Sequence, residues 1–190
     1  MESPHAPIIQ QTRDWIERFV IGLNLCPFAG QPWREDRVRI TASEANTPEA
    51  LAEDLAQALM DLAAGDPQDC ETTLLVHPQV LQDFLDYNDF LDVADELLDQ
   101  MGLDGEFQIA SFHPHYQFAD TDPEDRSNAT NRSPYPMLHL LREASVEAAT
   151  ARLEHPEAIY ERNIRTLQGL DPDQWAALFD KPAPGTGDSK

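Results

Sequence analysis

Thr72–Phe112 reads TTLLVHPQVLQDFLDYNDFLDVADELLDQMGLDGEFQIASF. Its periodicity implies a strand, a helix and a second strand in that order. Thr72 to His77 is a short, largely apolar run of the kind that makes a buried strand. Phe84, Tyr87, Leu91, Ala94, Leu98 and Met101 then step by three and four, the period of one helical face, and Phe90 and Leu97 widen the stripe. Asp83, Asp86, Asp89, Asp92, Asp95, Glu96 and Asp99 fall off it. The reading is an amphipathic helix over roughly 81–101 that packs one face on a core and turns an acidic face outward. Gly102 stops it, and Gly105 precedes the strand Phe107 to Phe112.

The pattern continues on both sides. Arg37 to Thr41 alternates like a strand. Thr47-Pro48-Glu49 opens a helix, with Thr as cap, Pro at the first helical position and Glu at the positive end. Leu51, Leu55, Leu59 and Leu62 give that helix its apolar face, and Gly65 ends it. Before these lies a helix from Ile8 to Leu23, with Gly22 and Asn24 as terminators. After the quoted stretch, helices are expected at about 136–152, 156–168 and 172–179. Strands alternating with helices argue for α/β or α+β: one domain over 1–181, a small sheet of about three or four strands and about six helices. The tail 182–190, rich in Pro and Gly, reads as disordered.

The chain has 190 residues, 41% of them apolar, enough for one ordinary core. No apolar run approaches the ~20 residues of a membrane span, and the N-terminus has no secretory pattern. Two cysteines make no disulfide framework, so reduced thiols and a cytoplasmic location are expected. Net charge is −22, and between Arg39 and Arg126 there are 21 Asp and Glu but no Lys or Arg. Such a surface repels nucleic acid and anionic membranes. It is either a solvated face or, through the acidic helix 81–101, a docking surface for a basic protein.

Between IASF and MLHLLREA run roughly two dozen polar, proline-broken residues, a length that in a compact domain is functional or disordered. Within Ser111 to Arg142 lie His113, His115, His139, Arg126, Arg132 and Arg142. Two imidazoles at i and i+2 of an extended segment share one face. They fit a divalent metal such as zinc or iron with His139, on the following helix, as third ligand. They equally fit acid/base groups without metal, or a hydrogen-bonded network holding the loop. Arg132 offers a fork for carboxylate or phosphate, or a partner for nearby acids. Asn128, Asn131, Ser133, Tyr135 and Arg126 complete the candidate substrate-binding set. Ser133 reads as a helix cap before Pro134, and Tyr135–Pro136 as a place for a cis bond.

His77, ending its strand before Pro78, matches His113 in position. If the two strands are parallel neighbours, both emerge at the carboxyl edge, where open sheets bind ligands. Cys26, just past the first helix, is a further candidate ligand or nucleophile. The negative helix end disfavours its thiolate, with Arg34 or Arg37 as offsets.

NLCPFA, TTLLVHP, FQIASFHPHYQF and SNATNRSPYPMLHLLRE resemble the domain of unknown function 1415 family, from about Ile8 to about Leu167. The resemblance implies a single intracellular domain and assigns no activity, cofactor or catalytic residue. The residues lead first to an enzyme acting on a small polar or anionic molecule, with His113, His115 and Arg132 catalytic. The alternatives are a metal-binding protein or an acidic interaction module.

Overall fold

The computed structural model describes residues 5–153, 155 and 158–179; the tail read at 182–190 lies outside them. In chain order it contains α1 (Ala6–Trp15), a π-helical turn (Ile16–Ile21), α2 (Gly30–Arg34), β1 (Val38–Ala42), α3 (Pro48–Ala64), β2 (Thr72–Val76), α4 (Phe84–Gln100) and β3 (Phe107–Phe112). A 3-10 helix (Arg126–Asn131), β4 (Met137–Arg142), α5 (Glu143–Thr150), α6 (Ala158–Gln168) and α7 (Pro172–Phe179) follow. The fold is α+β with one mixed four-stranded sheet.

Local chemistry sets the helix ends. The Thr47 hydroxyl accepts from the Ala50 N–H at 3.2 Å, and Asp83 caps α4 by accepting from Leu85 and Asp86. Asn24, at φ 52°, and Gly102, at φ 68°, take the left-handed conformations that release the chain after their helices.

Strand order is β1-β2-β4-β3. β1 pairs parallel with β2, whereas β4 runs antiparallel to both β2 and β3. β4 corrects the helix expected at 136–152. Met137–Arg142 is a nearly continuous apolar run, and periodicity cannot separate a buried helix from a central strand in so short a run. Pairing on both sides decided it: Leu138 and Leu140 are fully buried on one face and Met137 on the other. Only the second half of the expected helix is helical, as α5.

One sheet face carries Leu75, Leu138, Leu140, Phe107 and Ile109, packed by α3 and α4. Leu51, Leu55, Leu59 and Leu62 of α3 and Tyr87 of α4 have no exposed surface. At about 2 kcal/mol for each buried leucine, this layer dominates the core. On the other face, Ile8, Ile16 and Ile21 cluster with Val38, Ile40, Leu74 and Val76. That cover lies over the β1–β2 half, and the β4–β3 half of the same face borders a cleft. A third cluster, Phe19, Leu25, Ala129 and Leu167, ties the turn after α1 to the 3-10 helix and α6.

Candidate functional site

β1, β2 and β3 point the same way, so His77 after β2 and His113 after β3 emerge at one edge, as anticipated. They are not sheet neighbours, because β4 lies between their strands. Both are fully buried, and each holds the turn that leads into α4. His77 donates from Nδ1 to the Val80 carbonyl at 3.0 Å. His113 donates from Nε2 to the Leu81 carbonyl at 3.1 Å and accepts the His115 backbone N–H on Nδ1 at 3.0 Å. Leu81 itself sits at φ 57°, a left-handed conformation that costs a residue with a Cβ about 1–2 kcal/mol. Tyr87 lies against both rings, with centroids 5.8 Å from His77 and 5.0 Å from His113. Its hydroxyl donates to the Met137 carbonyl and accepts from the Phe112 N–H. Burial pushes His77 down to about 4 and lowers His113 as well, so both are neutral near pH 7. His77 Nε2 is buried without a partner, while His115 is exposed.

The polar side chains of the long loop bond chiefly to main-chain carbonyls, most of them its own. Arg132 donates to the Tyr116 carbonyl at 3.1 Å and the Pro123 carbonyl at 2.7 Å. Asn128, fully buried, donates to Asp122 O and accepts from the Phe118 N–H and the Thr121 hydroxyl. Asn131 donates to Ser111 O at 3.0 Å and accepts the His113 N–H. Arg126 donates to Leu170 O at 2.6 Å and stacks 4.7 Å over Trp175. The loop has almost no regular ladder, and these side chains supply the partners its buried peptide groups require. Ser133 caps no helix: its hydroxyl donates to Tyr135 O at 2.7 Å as the chain enters β4. Tyr135 donates to Gln11 Oε1 and is followed by a trans peptide bond.

His113, His115 and His139 do not converge on one ion. His113 packs against Phe84 and Tyr87 on the α4 side of the sheet, with both nitrogens engaged. His139 belongs to β4, not a helix, and shares the opposite face with Leu74 and Ala110, its cross-strand partners. Among the described residues no three His, Cys, Asp or Glu side chains come together to hold an ion. The zinc or iron expectation therefore has no ligand set in them.

The cleft of about 1000 Å3 on that opposite face is lined by both His139 and Cys26. Its floor is the β4–β3 half of the sheet, with Thr72 and Leu74 from β2. Trp15, Phe28 and Trp33 form one wall, and Val146 and Ala149 of α5 the other. The volume suits a small organic ligand. Three arginines line it. Arg37 pairs with Glu35 and Glu71. Arg142 caps α3 by donating to Leu62 O at 2.6 Å and Gly65 O at 3.0 Å. Arg152 is exposed, and among the described residues its side chain has neither an ion pair nor a hydrogen bond. Burial is the main influence on Cys26 and pushes its thiol up. The Phe28 and Ala29 N–H groups and Arg162, rather than Arg34 or Arg37, pull the other way. Both cysteines are free thiols.

Sequence reading placed no site on this face and did not single out Thr72, Ala110, Trp15, Trp33 or Arg152. A signal was present in the strands. Gln108 and Ala110 alternate with Phe107 and Ile109, and Thr72 precedes Leu74. On a strand of period two, that puts small and polar groups together on one face, the pattern of a face left partly uncovered.

These features define a class: a mixed-sheet α+β domain with a ligand-sized cleft on the half-covered face of its sheet. The chain belongs to the family described as protein of unknown function (DUF1415), whose model matches residues 7–177. No curated protein and no solved structure matches the chain.

Proposed function

We propose that the protein is a cytoplasmic enzyme acting on a small anion with an apolar body, held in the cleft between α5 and the Trp15–Trp33 wall. One observation carries this reading. Cys26 and His139, far apart in sequence and both capable of proton or group transfer, line one ligand-sized cleft together with three arginines, in a chain of net charge −22. The apolar wall suits a hydrocarbon body, and the unpaired Arg152 suits an anionic end. His113, Arg132 and the loop then serve as the frame that fixes the sheet edge. Among the described residues no helix is long and apolar enough to cross a membrane.

Anilinonaphthalene sulfonate, an apolar anion, tests this directly. It should bind the folded protein, quench Trp15 and Trp33, and lose affinity at least about tenfold in Ala110→Phe, which fills the floor beside His139. Equal affinity in the folded variant would contradict the reading.

A second reading is favoured by Leu85 and Val93, 71% and 46% exposed on the acidic outer side of α4. It is docking of a basic amphipathic segment. A Lys/Arg-rich helical peptide should then bind, and weaken as salt rises; binding indifferent to salt would sink it.

A further inference from the structure

We infer that His139 presents an unprotonated Nδ1 to the cleft and forms a subsite for a hydroxyl group, so that the cleft takes hydroxylated anions with an apolar body. This rests on the proposed reading of the cleft and adds the chemistry of its floor. The Thr72 hydroxyl has one hydrogen. Its oxygen lies 2.6 Å from the Leu140 carbonyl, which can only accept, so that hydrogen is committed there. The same Thr72 oxygen lies 2.8 Å from His139 Nε2. With its hydrogen used, Thr72 can only accept, so Nε2 must carry the proton and donate. Neutral His139 is thereby fixed as the Nε2–H tautomer, with a lone pair on Nδ1.

Among the described residues Nδ1 finds no partner. It makes no hydrogen bond, and it is not among the fully buried unpaired atoms, so it is open to the cleft that His139 lines. The neighbours of His139 on the sheet are apolar: Leu74 and Ala110 flank it across the strands, and the Phe112 ring centroid lies 6.1 Å from that of the imidazole. Burial keeps the ring neutral, lowering it to about 4. A neutral acceptor on an apolar floor selects the ligand atom that meets it. A carboxylate can only accept, so its oxygens would face the lone pair with no proton between them. An ammonium would be stripped of water in a cleft already lined by three arginines. A hydroxyl supplies the missing hydrogen without charge, and the ligand's anionic end is left for Arg152 at the rim.

The test displaces anilinonaphthalene sulfonate with two matched competitors, an ω-hydroxyalkanoate and the ω-methoxyalkanoate of equal chain length. Wild type should prefer the hydroxy acid about fivefold, the worth of one hydrogen bond. His139→Phe should lose that preference, read as the ratio of the two competitors' displacement constants. Long-range proton–nitrogen NMR of histidine-labelled wild type should show the Nε2–H tautomer at His139, with its Nδ1 signal moving on addition of the hydroxy acid. This arm needs no variant. Thr72→Val, which removes the positioning contact, should mix the tautomers. Equal displacement by both competitors, or a wild-type His139 protonated on Nδ1, would overturn the hydroxyl subsite and leave the cleft reading standing. Failure of the sulfonate to bind would overturn both.

Discussion

His77 and His139 are each pushed down to about 4 by burial, against about 6.5 for an exposed imidazole in the unfolded chain. Between those values the unfolded state binds more protons than the folded one, so stability rises with pH there and falls as pH drops through the window. For each histidine the loss between pH 7 and pH 5 is roughly 2 kcal/mol. Asn keeps the Nδ1-type donor to Val80 but does not titrate. In urea titrations His77→Asn should therefore lose less stability than wild type over that interval; identical losses would refute the assignment. Cys26 provides a second check at this scale. Its thiol is raised chiefly by burial, so at pH 7.5 iodoacetamide should alkylate it more slowly than in the urea-unfolded chain, measured by mass spectrometry. At the level of sequence the negative end of the first helix disfavours the Cys26 thiolate, whereas burial is what raises the thiol. The segment before Cys26 is held by a residue far along the chain, Asn163, whose side chain bonds Leu25 O at 2.7 Å.

Elements with strong local periodicity were readable. α3 and α4 carry their leucine and aromatic stripes where the spacing put them, with caps at Thr47 and Asp83. β4 was not readable, because Met137–Arg142 has the composition of a helix and becomes a strand only through pairing on both edges. Losing β4 as a strand also misplaced His139, and with it the sheet face that borders the cleft. A hydrogen-bonded network holding the long loop was one of the readings the sequence allowed, but the main-chain carbonyls that its side chains take as partners were not legible. Asn128→Ala leaves the half-buried Phe118 N–H without its acceptor and removes two further bonds. It should destabilise the protein by about 3 kcal/mol and speed limited proteolysis within 114–126, seen by thermal unfolding and peptide mapping. A loss under about 1 kcal/mol would mean that the loop does not depend on it.

For the molecule as a whole, charge and the half-covered sheet matter most. Seven carboxylates at positions 83–99 have no basic partner along α4 and add to a net charge of −22. Their mutual repulsion is screened by salt, so the melting temperature should rise by a few degrees between low and moderate NaCl; a fall would show that attractive pairs dominate. The same excess of negative charge makes the cationic and imidazole groups of the cleft stand out as the place where an anion is tolerated. The loop edge and the cleft lie on different parts of the sheet, so ligand contact can be assigned to one or the other. The most direct measurement is residue-resolved NMR of the full chain titrated with anilinonaphthalene sulfonate. Shifts should cluster at Ala110, His139, Leu141, Val146, Ala149 and the Trp15 and Trp33 indoles, while His115, Asn128 and Arg132 stay still. Shifts centred on His115 and Arg132, with the cleft residues unmoved, would contradict the placement of the site.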